Sequence, residues 1–307
     1  MEKQKRLFLT GGSGLLALNW ALMLHETWDV FLGLHNRNIN PSFASTVQLL
    51  SQPTTQDWIT TFSEISPDVV VNAAAVTSIE YCEQNPEIAF AVNVLFAEEL
   101  ALVCNLLKIP LVHISTDHLF SGVASFATEQ TRPDPMNVYG KTKAEAESRV
   151  LHACSNALVV RTNFYGWGTS YRHSTTDKVI HELQAGNVYT AFDDVYFTPI
   201  LISDLVSAIH QLLELGVYGI INLVGDQRVS KYDFCRLLAK TFRFQSSLLQ
   251  PISIHDVPAL VQRPMDMSLS NLKATEWLHR GFGSAVEGLI CLRDQSNQGY
   301  SKELQQL

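Results

Sequence analysis

Short apolar runs alternate with longer stretches of helical spacing through the first half of the chain. The runs RLFLT (6–10), DVFLGL (29–34), DVVVNAA (68–74), LVHIST (111–116) and ALVVRT (157–162) contain few polar side chains. Such runs suit strands covered on both faces, as in a parallel sheet. Between them, residues 15–26, 56–65, 86–107 and 138–151 place apolar side chains three and four apart, the spacing of helices with one buried stripe. Strand and helix in alternation predict right-handed crossovers and a doubly wound parallel α/β sheet of the Rossmann type.

After residue 162 the pattern loosens. NFYGWGTSYRHSTTD is aromatic and polar without a period and reads as a loop. Helices are expected at 175–185, 203–215 and 231–242, with Ser203 capping the second, and a strand at GIINLVG (219–225). Prolines punctuate short elements through 246–280. The expected division is a dinucleotide-binding domain over 1–162 plus 201–225, and a smaller substrate lobe from 163–200 and 226–307. The lobe would close over the carboxyl ends of the strands.

Composition narrows the function classes. Hydrophobic residues make up 46% of the 307 and charged residues 17%, a balance that favours a packed core over disorder. A formal charge of -8 argues against a general nucleic-acid binder, which needs a cationic face. The five cysteines lie far apart with no CxxC pair, and the ten histidines show no trustworthy ligand spacing. No disulfide framework and no metal are expected, and Cys104 reads as core. The first apolar run is too short for a signal peptide, and no uninterrupted apolar segment looks long enough to span a bilayer. The expectation is a cytoplasmic protein with no membrane partner.

Chemistry enters at LFLTGGSGLLALNW, where a strand turns into a helix through Gly11 and Gly14, with Ala17 at the third small position. Glycine there lets the backbone approach a pyrophosphate, and the helix start offers free N–H groups, so Ser13 and Leu15 join the candidate cradle. The second strand ends LGLHNRN, with no acid to hold a ribose hydroxyl and one permanent cation, Arg37. That favours the 2′-phosphate of NADPH over NADH.

Tyr139 and Lys143 stand four apart on an expected helix, so they share a face. An ammonium beside a phenol favours phenolate and is expected to lower the tyrosine's pKa toward the neutral range. Ser115, Thr116 and Asp117 fall at the carboxyl end of the fourth strand, where ligands gather in open α/β sheets. A glycine turn, a strand-end hydroxyl and YxxxK in that order suit delivery of a proton to a carbonyl as a cofactor delivers hydride.

With TGGSG, VVVNAAAVTSIEYCEQNPEIAFAVN, ISTDHLFSG, PMNVYGKTKAEAE, RVSKYDFCRLLA and RPMDMSLSNLKA, the chain resembles the extended short-chain dehydrogenase/reductases. Within them it is most similar to the dTDP-4-dehydrorhamnose reductases, over nearly its whole length. The resemblance implies an NADPH-linked 4-ketoreductase of nucleotide sugars in deoxysugar or surface polysaccharide synthesis, and a homodimer. It implies that Thr116 orients the carbonyl, that Tyr139 is the acid, and that Lys143 tunes the phenol and holds the nicotinamide ribose. By the same resemblance Ala73, Ala74, Ser115 and Asn93 belong to the cofactor side. Thr77 and Arg263 belong to the substrate side, Arg263 near the sugar-nucleotide phosphates. The family's tryptophan segment after the fifth strand is replaced by RTNFYGWG, which makes Tyr165 and Trp167 candidates for the sugar pocket, along with Phe197. The alternatives are an epimerase or dehydratase retaining NAD, and a regulatory subunit that binds a dinucleotide without turnover. Against a dehydratase, His118 stands where its glutamate would follow Asp117.

Overall fold

The computed structural model describes residues 4–307. Strands β1 (Lys5–Thr10), β2 (Trp28–Leu34), β3 (Ser45–Gln48), β4 (Val69–Asn72), β5 (Leu111–Ile114) and β6 (Leu158–Arg161) run parallel in one sheet. Every residue of β4, β5 and β6 is buried, which is why these strands read as continuous apolar runs. In the second half come β7 (Phe164–Tyr165), β8 (Tyr189–Phe192), β9 (Tyr196–Phe197), β10 (Ile200–Leu201), β11 (Gly219–Asn222), β12 (Val229–Ser230) and β13 (Leu249–Ile252). Of these only β11 joins the large sheet, whose order is β11-β6-β5-β4-β1-β2-β3. The others pair in twos, β7 with β10, β9 with β12 and β8 with β13. The doubly wound parallel sheet stands as expected. Strand β3 was not expected: its sequence STVQ has one apolar residue and three exposed ones, so it carries no hydrophobic signal.

The helices in order are α1 (Leu15–Leu24), α2 (Thr55–Ile65), α3 (Ile79–Gln84), α4 (Pro86–Phe90), α5 (Phe96–Leu107), α6 (Val138–Ala153), α7 (Thr175–Gln184), α8 (Ile202–Glu214), α9 (Lys231–Phe242), α10 (Leu272–Leu278), α11 (Ala285–Asn297) and α12 (Tyr300–Gln305). The single helix expected over 86–107 is divided by a π-turn at Ala91–Leu95, which inserts one extra residue per turn. By length and composition this 22-residue stretch is apolar enough to cross a membrane, although Glu87, Glu98 and Glu99 interrupt it. Here α5 packs on α2 and α6. Helix α8 starts one residue before Ser203 and has no side-chain cap, so Ser203 lies inside the helix.

Alternate residues of the strands serve opposite faces of the sheet. Leu7, Leu9, Val71, Val112 and Val160 pack in one core cluster with Trp20 of α1 and Leu205 of α8. Phe8, Val70, Leu111 and Val159 pack in the other, with Trp58 and Phe62 of α2 and Leu100 of α5.

Two charges lie deep between α6 and the sheet. Arg161, at the end of β6, donates from Nη2 to Glu147 Oε2 at 2.7 Å and from Nε to Oε1 at 3.0 Å. Ser115 Oγ donates to the same carboxylate at 2.5 Å. Both members of the ion pair are buried. Removing one partner strands the other charge, so Glu147→Ala is expected to cost about 3–5 kcal/mol of stability. Urea unfolding measures this, and a midpoint equal to that of the parent contradicts it.

Candidate active site

The first candidate site opens where β1 gives way to α1. Gly11 adopts a φ of 64°, and a Cβ there would sit 2.9 Å from Ala73 O and the Ala74 backbone. Only glycine satisfies both the conformation and the close approach to the chain beyond β4. Gly14 takes the cap position of α1 with no side chain to satisfy the first-turn N–H groups. Those donors and the positive end of the helix dipole are left for an anion, so the residues present fit a dinucleotide. They open on a cavity of about 510 Å³. It is lined by Gly11, Ser13, Gly14, Leu15, Ala73, Ala74, Thr77, Ser115, Thr116, Tyr139 and Lys143. Sequence expectations drawn from four separate segments thus meet in one cleft.

Tyr139 and Lys143 do share a face of α6, and both are buried. Their electrostatics differ from the expectation. The Lys143 ammonium donates to Ile114 O at 2.7 Å and approaches His113 Nε2 at 3.4 Å, so it is engaged with the end of β5. Burial lowers its pKa to about 8, opposed by the Glu147 carboxylate. Burial likewise pushes the Tyr139 phenol up to about 12, with the Thr116 hydroxyl pulling it down and Asp117 pushing it further up. The expected acidification by Lys143 is therefore absent in this structure, because loss of water outweighs it and the ammonium is bonded elsewhere. His113 is held well below its ordinary pKa by burial and by Lys143, which keeps it neutral at pH 7. Asp117 accepts from Thr116 Oγ1 at 3.3 Å and from the Asn163 amide.

A second, inner cavity of about 630 Å³ lies beyond. Tyr165, Phe197 and Arg263, three of the residues expected on the substrate side, line it. It shares Ile79, His118, Asn163, Phe164, Tyr165 and Thr175 with the first, so the two are continuous at the Tyr139 end. Arg263 pairs with Glu80 and donates from Nε to Val261 O at 3.2 Å. The His118 ring meets Tyr139 edge-on at 5.7 Å.

Three expected site residues lie elsewhere. Trp167 lines neither cavity: it is buried against Phe242, and its Nε1 donates to Leu292 O at 3.0 Å, so α11 claims it. Asn93, buried in the π-turn, accepts from Val76 N at 2.8 Å and donates to Val76 O at 3.1 Å and Thr142 Oγ1 at 3.0 Å. It fixes the loop carrying Ala73 to Thr77 and does not line the cofactor side itself. Arg37 is exposed and outside the cleft, its guanidinium 4.1 Å from the centre of the Tyr171 ring, whose hydroxyl donates to Ser13 O at 3.0 Å. The expectations also missed residues that line the cavities, among them Arg172 and Ser174 in the first, Lys231 in the inner one and Asn163 in both. For Lys231 a signal existed, a cation in the first turn of a helix.

The glycine turn, the strand-end threonine and the buried tyrosine and lysine on a seven-stranded parallel sheet define an extended short-chain dehydrogenase/reductase, an NAD(P)-dependent oxidoreductase. A family model described as RmlD substrate binding domain matches residues 5–286, and the chain belongs to that family. Among curated relatives, a probable low-salt glycan biosynthesis reductase, Agl14, of Haloferax volcanii is 29% identical over 87% of this chain and 90% of that protein. The methionine adenosyltransferase 2 subunit beta of Xenopus tropicalis is 29% identical over 86% and 80%. A dTDP-4-dehydrorhamnose reductase of Mycobacterium tuberculosis is 30% identical over 74% and 73%. A solved dTDP-4-dehydrorhamnose reductase of Bacillus anthracis in complex with NADP superposes with a TM-score of 0.84 over 95% of this chain and 100% of that one, at 22% identity.

The glycine turn carries a direct test. Gly11→Ala is expected to lose at least about 1–2 kcal/mol from the left-handed backbone alone, and to blunt any rise in melting temperature that NADH or NADPH produces in the parent. A variant that NADPH stabilises as strongly as the parent contradicts the close-approach role.

Proposed function

We propose that the protein reduces the 4-keto group of a 4-keto-6-deoxy sugar linked to a nucleoside diphosphate, with NADPH as reductant. The observation that carries this reading is that Thr116 and Tyr139 line the first cavity together, beside Ile79 and His118, which line both cavities. When bound along the first cavity, the reduced nicotinamide supplies hydride. Tyr139, fully protonated at neutral pH, delivers its proton to the carbonyl oxygen while Thr116 orients that oxygen. Lys143 holds the nicotinamide ribose, and its charge stabilises the phenolate as it forms. Arg37, steadied on Tyr171 beside the glycine turn, suits the 2′-phosphate of NADPH. Arg263, with Tyr165 and Phe197, receives the sugar nucleotide in the inner cavity. The RmlD family match and the M. tuberculosis relative support this choice of substrate class.

A second reading has one observation in its favour, the 29% identity to a methionine adenosyltransferase beta subunit across 86% of the chain. In that reading the chain binds a dinucleotide and serves a partner enzyme without turnover.

Loss of NADPH absorbance on addition of dTDP-, CDP- and GDP-linked 4-keto-6-deoxy sugars decides between the two. Oxidation with one of them supports the reductase; none with any, while NADPH still binds, favours the regulatory subunit. Tyr139→Phe is expected to lower kcat about 10²–10⁴-fold with the Kd for NADPH unchanged, and unchanged turnover refutes the acid role. Lys143 loses its proton as pH rises through about 8, so its contact with the cofactor is whole below that pH and lost above it. NADPH affinity measured by fluorescence is expected to fall across that window in the parent and to stay level in Lys143→Arg.

A further inference from the structure

Lys231 is a cation in a costly place. It is the first residue of α9, behind the cap Ser230, where the helix dipole opposes positive charge. Its side chain lines the inner cavity, and its ammonium stands 3.3 Å from the centre of the Phe197 ring. Burial lowers its pKa to about 8, and no hydrogen bond from the described residues opposes that loss. The acid acting on it most strongly is Asp117, whose carboxylate already accepts from Thr116 and the Asn163 amide. A cation–π contact offsets only part of such a cost. A second unsatisfied group shares the cavity wall: His118 Nδ1 is buried without a hydrogen-bond partner. His118 also senses the positive charges of Lys231 and Arg263. The wall thus gathers cations beside the proton donor and leaves one of them, Lys231, with no hydrogen-bonded acid among the described residues.

Building on the nucleotide-sugar reading above, we propose that Lys231 receives a negatively charged oxygen of the bound sugar nucleotide in the inner cavity. That oxygen belongs either to the diphosphate or to a carboxylate on the sugar ring. Either compensates a desolvated ammonium in a way a neutral hydroxyl or a methyl group does not. Lys231 is then a specificity-determining contact of the substrate, separate from the dinucleotide cradle.

Isothermal titration of the full chain with dTDP, dTDP-glucose and dTDP-glucuronate tests this without requiring turnover. Lys231→Met is expected to weaken binding about tenfold or more, with Lys231→Arg retaining most of the affinity. The Kd for NADPH is expected to stay constant in both variants, which shows that the first cavity is intact. An equal loss for all three ligands assigns the contact to the diphosphate. A loss confined to dTDP-glucuronate assigns it to a ring carboxylate. Parent-like affinity of Lys231→Met for all three overturns the proposal, and leaves to Lys231 only its stacking on Phe197. Failure of the parent to bind any of them overturns the nucleotide-sugar reading, and the proposal with it.

Discussion

The bond from the Lys143 ammonium to the Ile114 carbonyl locks α6 against the end of β5. A cation this deep stays charged only where dipoles and a counter-charge hold it. The carbonyl supplies one and Glu147, one helical turn further along, supplies the other. Glu147 is itself clamped by Arg161 from β6 and Ser115 beyond β5. The result is a polar seam between one helix and two strands, in a region otherwise closed by valine and leucine. Tyr139 lies one turn before Lys143 on that helix, and Thr116 two residues beyond Ile114 on that strand end. The seam therefore sets the distance between phenol and hydroxyl, although neither takes part in it.

Burial also sets the chemical state of the donor. With its phenol raised to about 12, Tyr139 holds its proton throughout the neutral range and is not a standing phenolate. The expectation of an acidified tyrosine weighed the charge four residues away and not the water lost from around the ring. The same loss of water acts on Lys143 in the opposite direction, since burial always favours the neutral form.

Where local pattern and burial agree, the fold was legible. Strands β1, β4, β5 and β6 announce themselves because both their faces are covered, and the glycine turn because its backbone conformation excludes other residues. Strand β3 escaped notice because an edge with three exposed polar side chains has no apolar periodicity to read. The π-turn escaped because VNV inside an apolar helix gives no local sign of an extra residue. The site was legible in its chemistry and less so in its walls. Trp167 looked like a sugar platform, yet its partner Leu292 is 125 positions away. Asn93 resembled a cofactor contact, but its bonds run to a backbone that only the folded loop brings near. Lys231 was overlooked although a cation stands in the first turn of its helix, because its place in the inner cavity shows only in three dimensions.

The two cavities rest on different foundations. Walls of the first come largely from α1, α6 and the segments that follow β1, β4 and β5, which are anchored in the seven-stranded sheet. Walls of the inner one come largely from β8, β9, β13 and α9, whose strands lie outside the large sheet. Exchanging residues 189–197 together with 229–257 between homologous chains thus leaves every backbone bond of the large sheet in place. The lining of the inner cavity can therefore change while the sheet that carries the glycine turn and α6 stays as it is.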